Sequence, residues 1–98
     1  MIKEIFKYEE LKDAQSVVLV FYTPKCSPCQ VLLNEAEQIE PTGFEILKVN
    51  AEKANDLVYK FSIWVVPTLI VLKNGKEVGR MLGARSKTEL EELILTKL

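Results

Sequence analysis

Two cysteines two residues apart, Cys26-Ser27-Pro28-Cys29, follow closely on an apolar run, Val17-Val18-Leu19-Val20-Phe21-Tyr22, and the 98-residue chain has no other cysteine. The run lacks a helical period, which suits a central strand buried on both faces. Beyond Cys26, residues Cys29, Leu32, Leu33, Ala36 and Ile39 recur at helical spacing and define one apolar helix face. A strand that feeds a helix through a Cys-x-x-Cys turn leaves few folds open. Both sulfurs must sit at a helix start, at the end of a buried strand.

That placement serves thiol chemistry. Exchange with a disulfide proceeds through the thiolate, so the attacking sulfur must ionise near neutral pH. A helix start offers unpaired N–H groups and partial positive charge. The helix terminus is worth about 0.3–1 kcal/mol to an exposed anion and up to about 2 when partly buried. The ammonium of Lys25 adds on the order of 1 kcal/mol at about 4 Å. A Cys26 thiolate near neutrality is therefore expected. Residues three apart are neighbours in the first helical turn, so Cys26 is the expected nucleophile and Cys29 the resolving thiol. Pro28 suits an early helical position, where its missing N–H costs nothing.

The remaining sequence frames this pair within one domain, residues 1–98, long enough for a single core. Hydrophobic residues make up 48% and charged residues 28%, with a net charge of -1 and no block of like charges. Neither nucleic acid nor a membrane is therefore expected as a partner. The N-terminal residues alternate charge and hydrophobe and do not read as a signal peptide. A cytoplasmic location is expected, where a cysteine pair is more often chemical than structural.

Along the chain, residues 2–6 read as a short strand and residues 8–14 as a short helix with Leu11 inward. The helix after Cys26 is expected to run to Ile39 and to stop at Pro41 and Gly43. Residues 44–50 form the next strand. Ala54, Leu57, Val58 and Phe61 mark a second amphipathic helix, so parallel strands with right-handed crossovers are expected. Residues 68–72 are a further strand, Asn74-Gly75 a hairpin turn, and residues 76–82 the returning strand. Ser86 with Glu89 makes a capping box for a terminal helix carrying Leu90, Leu93 and Ile94.

Read by themselves, these features admit other functions. The cysteines could merely staple a loop, although closing four residues is worth only about 2 kcal/mol in the loop-entropy view. Structural zinc wants four ligands, and the chain has two cysteines and no histidine; no metal is expected, short of a cluster shared between two chains. Pro67 reads as an edge or turn proline in the trans state. Trp64 reads as core or incidental surface, or as part of a docking patch.

Together, Cys26-Ser27-Pro28-Cys29, Val66-Pro67-Thr68, Lys73-Asn74-Gly75 and Gly83-Ala84 make nearly the whole chain resemble the thioredoxin family. The resemblance implies an α/β thioredoxin fold, a central mixed sheet in order 1-3-2-4-5 with helices on both faces and the last two strands antiparallel to the others. It replaces the trans reading of Pro67 with a cis bond lying against the active-site disulfide. It makes the chain a thiol–disulfide oxidoreductase whose redox group is the Cys26–Cys29 disulfide, with no separate cofactor. Its implied partners are disulfide-containing proteins and a thioredoxin-reductase-like electron donor, and a monomer is expected. Trp64, Val65, Val66, Pro67, Gly83 and Ala84 would form the substrate surface, with the Val66 backbone pairing with an extended peptide.

The chain departs from the family pattern at several tuning positions. Lys25 and Ser27 stand where the motif usually has Trp and Gly. Val20 stands where the family usually has a buried aspartate that helps take the proton of the resolving cysteine; slower resolution is expected, aided by water or Lys48. Asn34 replaces a helix-kinking proline, so that helix is expected to run straighter. Two alternatives remain. One is a thioredoxin-like binding module with little redox turnover. The other is a glutaredoxin-like enzyme, although Ser27-Pro28 and Glu77-Val78-Gly79-Arg80 lack that family's Pro-Tyr and Gly-Gly features.

Overall fold

The computed structural model describes residues 1–11 and 13–98. In chain order the elements are β1 (Lys3–Glu4), a 3₁₀ turn (Tyr8–Leu11), β2 (Ser16–Tyr22), α1 (Ser27–Glu37), β3 (Glu45–Asn50), α2 (Asn55–Lys60), β4 (Thr68–Lys73), β5 (Lys76–Leu82) and α3 (Lys87–Lys97). The five strands form one sheet in the order β1-β3-β2-β4-β5. β1, β3 and β2 run parallel, and β4 and β5 are antiparallel to their neighbours. The order is the one implied by the resemblance, but the direction differs at one strand: only β4 opposes β1, β3 and β2, and β5 runs parallel with them, because two successive antiparallel pairings restore the strand direction.

The alternation of side chains along β2 divides the core into two layers. Val18, Val20 and Tyr22 face α1 and α3, where they join Cys29, Leu32, Leu33, Ala36, Leu90 and Ile94. Val17, Leu19 and Phe21 face α2 and the 3₁₀ turn, meeting Leu57, Phe61 and Leu11. Every residue from Val17 to Tyr22 is buried, so the run has no polar face to show, as a strand covered by helices on both sides requires. Each such large apolar side chain contributes about 1.5–3 kcal/mol on burial. This two-sided covering holds the C-terminal end of β2 rigid at the point where the chain turns toward the cysteines.

Element ends differ from the sequence expectation for identifiable reasons. β1 keeps two of the five expected residues: at one end the Ile2 N–H turns to the Glu37 carboxylate at 3.0 Å, and at the other the Phe6 N–H turns to Glu10. The expected helix over residues 8–14 is a 3₁₀ turn at Tyr8–Leu11, and its portion at Lys12 lies outside the described residues. Glu10 closes that turn by accepting from the N–H groups of Phe6 and Lys7 at 2.7 and 3.1 Å. α1 passes Asn34 without a break and ends at Glu37, two residues early. There the N–H groups of Gln38 and Ile39 tighten onto the carbonyls three residues back, and Pro41 biases Glu40 away from helix.

The hairpin and the last helix follow the sequence closely. Asn74 and Gly75 both take positive φ, 52° and 80°, as a two-residue turn between right-twisted strands demands. A register shift between Val71 and Leu72 marks a bulge opposite them in β5. Ser86 and Glu89 form the reciprocal capping box at the start of α3. α3 thereby packs Leu90 and Ile94 onto the same layer as Cys29.

Candidate active site

Cys26 is the N-cap of α1, with extended backbone angles (φ −104°, ψ 107°). Its sulfur accepts the Cys29 N–H at 3.1 Å, and its carbonyl accepts the Gln30 N–H at 3.2 Å. The first turn of the helix is therefore closed around the sulfur, with Pro28 placed where no N–H is needed. The Cα atoms of Cys26 and Cys29 lie 5.2 Å apart and the sulfurs are joined as a disulfide. The two sulfurs are not equivalent. Cys29 is wholly buried in the α1–α3 layer, whereas Cys26 is half-buried at its edge, flanked by exposed Lys25, Ser27 and Pro28.

A second wall is built by residues 61–67. The Val66–Pro67 peptide is cis, as the resemblance implied. The Val65 carbonyl accepts the buried Thr68 hydroxyl at 2.7 Å, and the Pro67 carbonyl accepts the Gly83 N–H at 2.9 Å. From β5, Arg80 Nη2 donates to the Phe61 carbonyl at 2.5 Å, while its Nε and Nη2 grip the Glu77 carboxylate at 2.7 and 2.8 Å. That bidentate contact holds Glu77 below the usual carboxylate range.

Of the expected site residues, the structure joins Cys26, Cys29 and Val66 in one layer and ties Pro67 to Gly83. Cys26, Val66 and Met81 pack against the same buried layer. Pro67 is buried, Val66, Gly83 and Ala84 are half-buried, and Trp64 and Val65 are 90% and 51% exposed. Sequence reading missed three contributors. Leu82, 50% exposed at the end of β5, adds apolar surface beside them. Thr68 and Arg80 fix the wall without belonging to its surface. A threonine inside an apolar strand was a usable signal, since a buried hydroxyl needs a partner. The Arg80 contact depends on where the segment before β4 lies against β5, which no local pattern displays.

Val20 is completely buried in the layer that encloses Cys29. Its register partner on β3 is Lys48, whose own partner on β1 is Glu4. The Lys48 ammonium, the expected aid to Cys29, lies 5.6 Å from the centroid of the Tyr22 ring, and the Tyr22 hydroxyl donates to Glu4 Oε1 at 2.5 Å. Burial first, then the Glu4 carboxylate, push the Tyr22 phenol up to about 12 from an ordinary 10.0. Its contribution to stability is therefore complete below pH 10.0 and lost as pH rises through about 12. Absorbance titration should show one of the three tyrosines ionising late, and Tyr22→Phe should remove that step. Among the described residues no three Cys, Asp or Glu side chains gather where they could hold a metal ion.

A surface sulfur at a helix start, bonded to a buried one beneath it, is arranged to pass a disulfide to and from another molecule. The class is that of the thiol–disulfide oxidoreductases. The thioredoxin family model matches residues 2–96, and the chain belongs to that family. It is 32% identical over 87 residues to the thioredoxin of Bacillus subtilis, covering 85% of this chain and 84% of that one. It is 36% identical over 86 residues, 83% of this chain, to a longer Schizosaccharomyces pombe protein named as a protein disulfide-isomerase, of which it spans 18%. Among solved structures, the thioredoxin of Fasciola hepatica superposes with a TM-score of 0.88 at 26% identity, covering 99% of this chain and 100% of that one.

Proposed function

We propose that this chain, acting as one domain, reduces protein disulfides through a Cys26 nucleophile and a Cys29 resolving thiol. The Cys26 thiolate attacks one sulfur of the substrate disulfide, and the other substrate sulfur leaves as a thiolate and takes a proton. Cys29 then loses its proton and attacks Cys26 Sγ. The Cys26–Cys29 disulfide forms, and the second substrate thiolate is released and takes a proton from solvent, equal to the one Cys26 gave up on ionising. Two electrons and two protons have passed to the substrate. A reductase or another dithiol returns the pair to its reduced state, with no separate cofactor.

The observation that carries the order of attack is the unequal burial of the two sulfurs. Only Cys26 is open to a partner, and its N-cap position favours the thiolate. Trp64, Val65, Val66, Pro67, Gly83 and Ala84 are the proposed docking surface, with the Val66 backbone meeting an extended segment of the substrate. Lys25 and Ser27 tune the pair. A cytoplasmic monomer fits a function that consumes reducing equivalents, and no helix among the described residues is long and apolar enough to cross a membrane.

The deciding measurement is the equilibrium reduction potential of the pair, by titration against a glutathione or dithiothreitol couple. A value near the thioredoxin reference of about −270 mV is expected. A value near about −180 mV would mean an oxidant or isomerase instead. Absence of a reversible two-electron transition would overturn the redox mechanism.

A further inference from the structure

The loops that meet around the disulfide carry a charge balance opposite to that of the chain. The formal net charge is -1, yet residues 23–28, 51–54, 61–67 and 83–85 hold Lys25, Lys53 and Arg85 against one carboxylate, Glu52. Glu52 and Lys53 adjoin in the turn whose Ala51 N–H bonds the Tyr22 carbonyl at 2.8 Å, and they offset one another. Lys25 and Arg85 remain, Lys25 beside Cys26 and Arg85 in the loop that follows β5.

Their positions are specific. Lys25 is exposed and directly precedes Cys26. Arg85 folds back over its own loop, donating from Nη1 to the Ala84 carbonyl at 3.0 Å, with that nitrogen 3.3 Å from where a Cβ on Gly83 would stand. Gly83 is in turn bonded to the Pro67 carbonyl, so the guanidinium lies beside the loop that is tied to the Pro67 wall. Glu89 approaches Arg85 Nε at 3.9 Å, with the two side chains 39% (Arg85) and 55% (Glu89) exposed. Such a solvated pair is weak and leaves the arginine able to take a second carboxylate.

We propose that the preferred substrates of this site are disulfides whose cysteine is flanked by acidic residues, held by Lys25 and Arg85 in addition to an apolar contact with Trp64 and Val65. This rests on the docking surface proposed above and names the chemistry of what docks there. Charges at the rim of a contact act mainly on the rate of encounter, and salt weakens them. A single exposed ion pair is worth up to about fivefold. Exchanging a carboxylate for an ammonium turns attraction into repulsion, so the discrimination reaches about 5- to 20-fold with two cations.

The test uses the reduced full chain and two synthetic peptide disulfides, identical except for Glu or Lys on each side of the cysteine. Stopped-flow reduction should favour the acidic peptide by about 5- to 20-fold at low salt, with the ratio shrinking at high salt. Lys25→Glu should bring the ratio close to one, since the new carboxylate opposes Arg85, and Arg85→Gln should reduce it. The ratio is the readout because any effect of Lys25 on Cys26 itself changes both rates alike. Equal, brisk reduction of both peptides would overturn the acidic preference and leave the oxidoreductase mechanism standing. So would a wild-type ratio untouched by either variant. No reduction of either peptide, together with no reversible transition of the pair, would overturn both.

Discussion

Cys29→Ser is expected to attack substrate disulfides at close to the wild-type rate and then to stop, as a covalent mixed disulfide through Cys26. Cys26→Ser should not reach that intermediate. The buried Cys29 sulfur has no route to a partner's disulfide, and a serine hydroxyl is no substitute for a thiolate. Turnover should fall on the order of 10³-fold or more in both variants, because each lacks one member of a unit that acts together. The two nevertheless separate on a non-reducing gel, where only Cys29→Ser carries a substrate-sized adduct that dithiothreitol releases. An adduct on Cys26→Ser, or equal labelling of the two variants, would overturn the assigned order of attack. Stability gives a second readout. Closing the four-residue loop is worth about 2 kcal/mol in the chain-entropy view, so the oxidised wild type should melt above its reduced form and above both variants.

The assignment of those roles was legible before any coordinates, because strand, turn and helix were written in side-chain spacing. Val17 to Tyr22 cannot present a polar face, so the strand had to be central. Cys29, Leu32, Leu33 and Ala36 share one helix face, so Cys29 had to point inward, and the structure buries all four. Pro67 was different. Its local sequence suits a trans turn, and only the resemblance pointed to the cis peptide that the structure contains. What stayed hidden depends on contacts across the sheet. Tyr22 meets Glu4 only because β3 lies between their strands, and Arg80 reaches the Phe61 carbonyl from 19 residues away. Both are single polar contacts whose partners are distant in sequence, so no periodicity announces them. Element ends failed for a related reason: Ile2 left the sheet for one hydrogen bond to Glu37.

Val20→Asp should exchange stability for speed at the resolving step. Val20 is 0% exposed and packs in the layer that encloses Cys29, so the substitution puts a carboxyl into a layer of apolar side chains around that sulfur. Such burial costs about 2–4 kcal/mol. For a domain of this size, the melting temperature should fall by about 10–25 °C. Burial raises the carboxyl's pKa in the fold above its unfolded value of about 3.9. The gap to wild type should therefore be smallest below about pH 4 and widen as pH rises through the raised value. Lys48, the register partner of Val20 on β3, would limit the penalty by swinging its ammonium from the Tyr22 ring, where it lies 5.6 Å from the centroid, to the carboxylate. Once ionised, the same carboxylate can accept the Cys29 proton, and general-base assistance of about 10²-fold is the scale to expect. Decay of the mixed disulfide in single-turnover experiments would report it, with a dependence on pH that wild type lacks. Val20→Asn is the control, since it buries a polar group without supplying a base. Equal resolution rates in the Asp and Asn variants would show that proton transfer from Cys29 does not limit this enzyme and that Val20 matters to it only as packing.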